Sequence, residues 1–206
     1  MTGTFAVALD GYTDLPPGKI ANVVTFLERT EPIGTPPPAP TGVAVVPVPR
    51  PGVHWYRALF SRIGQDWLWF SRAIMSDTEL GALLSSPATS VLALEREGSA
   101  IGLAELDRSA GEVEIVTFGV VPEAVGKGLA QVLMAGALAE AFRGGAGRVW
   151  LHTCTFDHPG AVRFYRRQGF RPYKFAIEVS DDPRLTGHLP DSAAPQIPLI
   201  RPGGRR

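Results

Sequence analysis

Apolar and polar residues alternate along several short segments of this chain, which is the pattern of half-buried β-strands. The stretch SVLALEREGSAIGLAELD, residues 90–107, predicts two strands that meet in a turn at Glu97 and Gly98. Three further strands are expected at residues 112–121, 149–155 and 170–180, the last as one strand or a strand pair. The centre of the chain is therefore predicted to form a sheet.

Segments with helical periodicity separate these strands. Residues 54–64 and 67–85 predict two helices, and the second region carries a capping box that begins at Ser76. Two more helices are expected, one from Leu129 to the glycine pair 144–145 and a short one that opens at the N-cap Asp157 and ends at Gly169. The order strand, glycine turn, helix, strand, helix predicts an α/β (α+β) fold, with a parallel strand pair and helices on the sheet faces.

The two ends of the chain differ from this central region. TFAVALD (residues 4–10) and KIANVVTFLE (residues 19–28) suggest a hairpin, and the proline-rich residues 32–51 predict an extended connector or an edge strand. The end of the chain is rich in proline and glycine, and predicts an extended tail that lies on the body or on a partner. The predicted regions are an N-terminal strand-rich extension with its connector, a central domain and a tail, at residues 1–51, 52–180 and 181–206.

Composition narrows the class of protein. Lys plus Arg and Asp plus Glu both total 20 in 206 residues, so the net charge shows no footprint of nucleic-acid or membrane binding. Cys154 is the only cysteine, which excludes an intramolecular disulfide. The first residues, MTGTFAVALDG, lack a basic leader region, and no apolar run approaches the length of a membrane span, so we expect a cytoplasmic protein.

Two glycines flank a lysine in VVPEAVGKGLA, residues 120–130, where a predicted strand ends and a predicted helix begins. Glycine lets another molecule approach the backbone, and the amides at the start of a helix bind anions, so this glycine turn suggests a phosphate site. Neither common phosphate loop fits. A dinucleotide fingerprint needs glycine at Gln131, and a triphosphate loop needs glycine at Val121 and Ser or Thr at Gly128. A plain strand-to-helix turn is the alternative.

A second motif, AVRFYRRQGF at residues 161–170, follows the glycine turn. Together the two motifs resemble the GNAT superfamily of acetyl-CoA-dependent N-acetyltransferases, over about residues 90–175. Val125 stands where the first family motif has Gln or Arg, and His158 stands where the second has Asn. The resemblance implies a central mixed, mostly antiparallel sheet with a splayed parallel strand pair and helices on both faces.

The same resemblance implies acetyl-CoA, or a longer acyl-CoA, as co-substrate, and an amine of a small molecule or protein as acceptor. It places the pyrophosphate on the amides of residues 126–130 and the pantetheine arm along the main chain of residues 118–121. No metal is implied. The expected cofactor-binding residues are Phe118, Val120, Val121, Val125, Gly126, Lys127, Gly128, Leu129, Ala130 and Phe164.

Acyl transfer to an amine needs a base, a stabilised thioester oxygen and an acid for the thiolate. The resemblance makes Glu114 the expected base, because its offset to Gly128 matches that of the base in the founding histone acetyltransferase. Glu105 on the neighbouring strand is the second choice, and a water chain is a third route. A backbone amide near Val120 is expected to meet the oxyanion, and Tyr165 to protonate the thiolate.

Two other features are weaker. HTCTFDH, residues 152–158, could suggest a metal site or a cysteine nucleophile, but a strand end with an Asp N-cap is favoured. In the second predicted helix, Trp67, Phe70 and Ile74 share one face and are predicted to lie in the core. Trp69 points elsewhere and is the expected substrate-binding residue, placed against a cationic amine.

An N-acyltransferase is therefore the leading hypothesis. A CoA-binding regulatory or sensor domain without turnover is the alternative, and the retention of Glu114 and Tyr165 argues against it. A homodimer in which the proline-rich segment and the tail exchange between subunits is compatible with either function.

Overall fold

A computed structural model describes residues 6–36 and 38–203 of the chain. Its strands are β1 Lys19–Arg29, β2 Val43–Pro47, β3 Thr89–Arg96, β4 Ser99–Asp107, β5 Val113–Val120, β6 Val149–Cys154 and β7 Arg171–Asp181. They form a seven-stranded sheet in the order β2-β3-β4-β5-β6-β1-β7. All neighbouring strands are antiparallel except β5 and β6, which confirms the predicted mixed sheet with one parallel pair.

The parallel pair separates soon after it begins. β5 and β6 are in register only at Val113 with Val149 and at Glu114 with Trp150. From Ile115 onward, the edge of β5 that faces β6 has no strand partner among the described residues. A cleft therefore opens between the ends of the two strands, as expected for a splayed pair.

Helices cover both faces of the sheet. They are α1 Val53–Gly64, α2 Asp77–Ser85, α3 Leu129–Arg143 and α4 Ala161–Arg167, with short 3-10 turns at Gln65–Trp67 and Pro122–Ala124. Gly119 of β5 faces α1, because a Cβ there would meet Ile63. Gly136 of α3 lies against Val45 of β2. Val45 is aligned across the sheet with Val120, which neighbours Gly119 in β5 and therefore lies on the other face. α1 and α3 thus cover opposite faces of the sheet. None of the described helices is both long and apolar enough to cross a membrane.

Several local predictions are confirmed. Glu97 and Gly98 have φ of 51° and 77°, the left-handed pair of a two-residue hairpin turn. The capping box is present, since Ser76 and Glu79 each accept a hydrogen bond from the backbone of the other. The segment predicted at residues 170–180 forms one strand, β7, at Arg171–Asp181, and the proline-rich stretch contains the edge strand β2.

The predicted helix over residues 67–85 is wrong in its first half. The chain there forms a 3-10 turn and a loop, and α2 begins only at Asp77. Leu68 has a φ of 53°, a left-handed conformation that an α-helix cannot contain, and its side chain is buried. This loop, residues 68–76, removes the helical face predicted for Trp67, Phe70 and Ile74.

The N-terminal hairpin is also wrong for the part that the structure describes. Residues 19–28 belong to β1, which pairs with β7 from Lys19 to Glu28 and with β6 from Val24 to Arg29. Residues 6–10 form no strand, and residues 4 and 5 lie outside the described range. The pairing of β1 with strands distant in sequence replaces the local pairing that the turn-rich segment suggested.

The C-terminal tail folds against the body. Asp182 and Arg184 form a buried ion pair at 2.7 Å, and Arg184 also donates to the carbonyl oxygen of Ile197 at 2.8 Å. Although burial opposes it, Arg184 holds the pKa of Asp182 below its usual value. Leu189 of the tail packs in one apolar cluster with Leu68. The tail therefore supports the loop of residues 68–76.

Candidate active site

A cleft of about 380 Å³ opens between the diverging ends of β5 and β6. Its walls also include α4 and the loop of residues 68–76, which are distant from one another in the sequence. Aromatic rings dominate the lining, namely Phe60, Trp67, Trp69, Phe70, Phe118, Phe156, Phe164 and Tyr165. An apolar cleft with a few convergent polar groups is the common form of a small-molecule site.

The glycine turn lies at this cleft, since Gly126 is among its lining residues. Gly126 and Gly128 have φ of 76° and 75°, and a Cβ at either position would meet nothing within 4 Å. The backbone hydrogen bonds of the described residues leave the N–H groups of residues 126–130 without a carbonyl acceptor. Free backbone donors at the start of α3 are what an anion site requires.

Main-chain groups of β5 also reach the cleft. Val121 donates its N–H to the carbonyl oxygen of Ile101 at 2.9 Å, on the side of β4. Because backbone groups alternate in direction along a strand, Val120 directs its N–H to the opposite side, toward the cleft. Phe118 and Val120 line the cleft, whereas Val121 is buried and its amide is already used.

An aromatic wall forms where α4 meets β5. Phe118 stacks on Phe164 with ring centroids 5.6 Å apart, and Tyr165 meets the two rings edge-on at 6.1 and 5.5 Å. Burial, with a smaller effect from Asp157, raises the pKa of Tyr165 well above its usual value. The hydroxyl is protonated at neutral pH, as an ordinary tyrosine is, and burial makes it a weaker acid than a tyrosine in water.

Glu114 reaches the cleft through a histidine. Its Oε1 lies 3.3 Å from Nδ1 of His152, and His152 lines the cleft whereas Glu114 does not. The hydrogen bond to Glu114 raises the pKa of His152, against the opposing effect of burial. Because Glu114 engages Nδ1, Nε2 is the nitrogen left to exchange a proton with a substrate.

Glu105 is placed in a different environment. Its side chain is only 2% exposed, and Arg72 donates to its Oε1 at 2.5 Å and to its Oε2 at 3.2 Å. The hydroxyl of Tyr56 donates to the same carboxylate. The ion pair between Arg72 and Glu105 ties the loop of residues 68–76 to β4. Glu105 itself does not line the cleft. The role of a second base for Glu105 stays a prediction.

Trp69 and Asp157 join two walls of the cleft. Nε1 of Trp69 donates to Oδ1 of Asp157 at 2.9 Å, and the Trp69 ring lies directly over Gly64, where a side chain would collide with it. Oδ2 of Asp157 accepts the N–H of Cys154 at 2.8 Å. The prediction that Asp157 caps the short helix is therefore wrong. The N-cap of α4 is Gly160, and Asp157 instead binds back to the end of β6.

The cysteine and metal alternatives gain little from this geometry. Burial, with a smaller effect from Asp157, raises the pKa of Cys154 to about 11, so the side chain is a thiol at neutral pH and a poor nucleophile. Within residues 6–36 and 38–203, no group of three or more His, Cys, Asp or Glu side chains is arranged to hold a metal ion.

Asn22 and Glu178 are among the polar residues of the cleft that sequence reasoning missed. Nδ2 of Asn22 donates to Oε2 of Glu178 at 3.0 Å, and the two residues are in register across β1 and β7. Neither residue belongs to a motif, and strand alternation alone does not tell which strands are neighbours. His152 was noticed only within a weak cluster, since its contact with Glu114 depends on the pairing of β5 with β6.

Some of the other predicted site residues line the cleft and some do not. Lys127 and Gly128 are exposed beside it, and Leu129 is buried in the first turn of α3. The predicted residues that line the cleft are Trp69, Phe118, Val120, Val125, Gly126, Ala130, Phe164 and Tyr165.

Comparison with known proteins identifies the class. The sequence profile of the Acetyltransferase (GNAT) family matches residues 54–170, which is more than half of the chain. The chain belongs to the GNAT acetyltransferase family. This confirms the resemblance that the two motifs indicated.

Solved structures show the same fold. A GCN5-related N-acetyltransferase from Sphaerobacter thermophilus is 20% identical with a TM-score of 0.55, over 81% of this chain and 52% of that chain. A GCN5-related N-acetyltransferase from Kribbella flavida is 22% identical with a TM-score of 0.53, over 82% and 63%. An aminoglycoside acetyltransferase from an uncultured soil metagenomic sample, in complex with sisomicin, is 14% identical with a TM-score of 0.52, over 61% and 86%.

These similarities extend to the fold and not further. The chain spans about half of the length of the Sphaerobacter protein and less than two thirds of that of the Kribbella protein. No curated protein sequence matches the chain.

Proposed function

We propose that this protein transfers an acetyl group from acetyl-CoA to a primary amine, by direct attack of the amine on the thioester. The observation that carries the proposal is that one cleft combines the free amides of the glycine turn, the N–H of Val120 and the hydroxyl of Tyr165. These donors match the three parts of acetyl-CoA that need one, which are the pyrophosphate, the thioester oxygen and the sulfur.

The residues of the cleft fit such a co-substrate at both ends. The amides of residues 126–130 and the dipole of α3 would hold the pyrophosphate, and Lys127 adds a positive charge beside them. The unpaired edge of β5 at Phe118 and Val120 offers main-chain partners to the amide-rich pantetheine arm. Acetyl-CoA would supply the activated acyl group, as a thioester.

The proton of the amine is assigned to the pair of Glu114 and His152. Glu114 holds the imidazole through Nδ1, so that Nε2 can accept the proton as the amine attacks. The N–H of Val120 stabilises negative charge on the thioester oxygen, and Tyr165 gives its proton to the departing sulfur. The positions of His152, Val120 and Tyr165 in the lining of the cleft support these assignments.

The acceptor is proposed to be an apolar or aromatic amine that carries no carboxylate. Among the described residues, Asp157 and Glu178 line the cleft and no lysine or arginine does. An acceptor carboxylate would lose water next to these acids without gaining a cationic partner. The rings of Trp67, Trp69 and Phe70 offer apolar surface and cation–π contacts to the rest of the amine.

Gly128→Asp tests the co-substrate site. Aspartate tolerates the left-handed backbone better than most residues, so the turn should persist, but its carboxylate would repel the pyrophosphate. We expect the Kd for acetyl-CoA, measured by calorimetric titration, to rise at least about 10-fold, which corresponds to about 1.4 kcal/mol of binding free energy.

Gly98→Asp is the matched control for this experiment. Gly98 has a φ of 77° and no Cβ neighbour within 4 Å, but it lies in the turn between β3 and β4. The Kd of the Gly98→Asp variant for acetyl-CoA should equal that of the unmodified protein. An unchanged Kd in Gly128→Asp would contradict the phosphate site. Tight binding without thiol release from any amine would instead favour the CoA-binding sensor.

Phenylethylamine and phenylalanine form a matched pair of acceptors that differ by one carboxylate. Because Asp157 and Glu178 are the charged acids of a cleft that has no lysine or arginine among its described lining residues, we expect kcat/KM for phenylethylamine to exceed that for phenylalanine by at least about 10-fold. Release of free thiol from acetyl-CoA measures both rates. A preference for phenylalanine would contradict the proposed acceptor but would not contradict the proposed co-substrate site.

A further inference from the structure

The two edges of the sheet are built differently. β2, at one edge, has 5 residues and ends at Pro47. β7, at the other edge, has 11 residues, and proline occurs in it only near its start, at Pro172. Short strands and prolines protect an edge against pairing with another chain, and β7 lacks this protection over most of its length.

The outer edge of β7 is open in the part of the chain that the structure describes. Its other edge pairs with β1, and no described strand lies beyond it. Phe175, Ile177 and Val179 occupy alternate positions on one face and are 73%, 55% and 36% exposed. Val23 of β1, in register with Ile177, is 45% exposed and widens this patch. An open edge beside an apolar patch is the form of an interaction surface.

The charges of β7 specify the orientation of a partner. Arg171 and Lys174 lie in its first half, and Glu178 and Asp181 lie in its second half. A parallel second copy of this strand would bring like charges together. An antiparallel copy would bring opposite charges together, and cross-strand pairs of opposite charge are favourable. The strand is therefore complementary to itself in the antiparallel orientation.

We propose that the chain forms a two-fold symmetric dimer in which β7 pairs antiparallel with β7 of a second copy, centred on Ala176. In this register, Lys174 faces the partner's Glu178, and Phe175 faces the partner's Ile177. The register shift of β7 against β1 lies before Lys174, so the strand is regular over the paired residues. Each contact then occurs twice, as an isologous interface requires.

The dimer also reaches the cleft. Glu178 lines the cleft and accepts a hydrogen bond from Asn22, on the same sheet face as Lys174. The partner's Lys174 therefore forms an ion pair with Glu178, and its charge is matched by that carboxylate of the cleft. This contact follows from the register and does not depend on the acyl-transfer proposal.

Charge exchange tests the register. Lys174→Glu and Glu178→Lys each place two like charges opposite each other, twice per dimer, and the double variant restores opposite charges. By analytical ultracentrifugation of the full chain, we expect each single variant to raise the dimer Kd at least about 10-fold and the double variant to return it close to that of the unmodified protein.

A second pair of variants tests the apolar patch. Phe175→Lys should give a monomer, because it adds a charge beside the two-fold axis. Ile74→Lys is the matched control, since Ile74 is 47% exposed but lies in the loop of residues 68–76, and it should remain a dimer. A monomeric unmodified protein overturns the proposal. So does a dimer that Phe175→Lys and the charge exchange leave unchanged.

Discussion

Replacement of Glu105 by alanine is expected to lower the free energy of unfolding by about 3–5 kcal/mol. The side chains of Glu105 and Arg72 are only 2% and 12% exposed, so neither charge is well solvated. Removing the carboxylate leaves Arg72 buried without its ion pair and takes away the acceptor of the Tyr56 hydroxyl. Urea denaturation followed by tryptophan fluorescence measures the change.

Glu123→Ala is the control for this substitution. Glu123 is 69% exposed and lies 3.5 Å from Arg62, so its removal should be nearly neutral. Replacing both Glu105 and Arg72 by methionine should recover much of the loss, because no charge is then left unpaired. If Glu105→Ala is no more destabilising than Glu123→Ala, the ion pair does not hold the loop of residues 68–76. A base at Glu105 would instead show itself in Glu105→Gln, as lost turnover in a stable protein.

His152→Gln is expected to lower kcat/KM by about 10²–10⁴-fold while the Kd for acetyl-CoA stays close to that of the unmodified protein. His152 is the titratable group that joins Glu114 to the cleft, and its Nε2 is the proposed proton acceptor. His54→Gln is the matched control, because His54 is exposed on α1. Free thiol release over a range of amine concentrations measures the loss.

The pKa of His152 also predicts how kcat/KM depends on pH. The hydrogen bond to Glu114 raises the pKa of His152 above 6.5, and a base acts only when it is unprotonated. We therefore expect kcat/KM to rise with pH through that raised pKa and then to level off. The same shift stabilises the fold below pH 6.5, and this contribution is lost as the pH rises through the pKa of the folded state.

Glu114→Gln separates the two possible bases. Without the Glu114 carboxylate, the pKa of His152 loses its largest raising effect while burial still lowers it, so the acid limb of the profile should move to lower pH. Loss of turnover in a variant whose limb has not moved would make Glu114 itself the base. Unchanged kcat/KM in both His152→Gln and Glu114→Gln would leave Glu105 or a water chain as the route of the proton.

Elements determined by nearby residues were predictable from the sequence. Strand alternation located β3 to β7, and the turn at Glu97 and Gly98 depends on those two residues alone. The same reasoning failed over residues 67–76, where apolar residues at helical spacing follow a loop. There the chain is held by contacts with Gly64, Asp157 and the C-terminal tail, which no local pattern contains.

The site divides in the same way. The glycine turn and Tyr165 belong to contiguous motifs, so the sequence located them directly. Asn22 and Glu178 lie far apart along the chain and meet only because β1 pairs with β7. His152 meets Glu114, and so gains its proposed role, only because β6 lies beside β5.

By itself, the sequence determined the family, most of the strands and the place of the glycine turn, because each of these is encoded in residues close together in the chain. Only the tertiary structure decided what surrounds each carboxylate. Glu105 and Glu114 look equivalent in the sequence, as acids on neighbouring strands. In the structure, Glu105 is buried in an ion pair with Arg72, whereas Glu114 contacts His152 of the cleft. Burial and cross-strand neighbours set those environments, and both arise from pairings between distant parts of the chain.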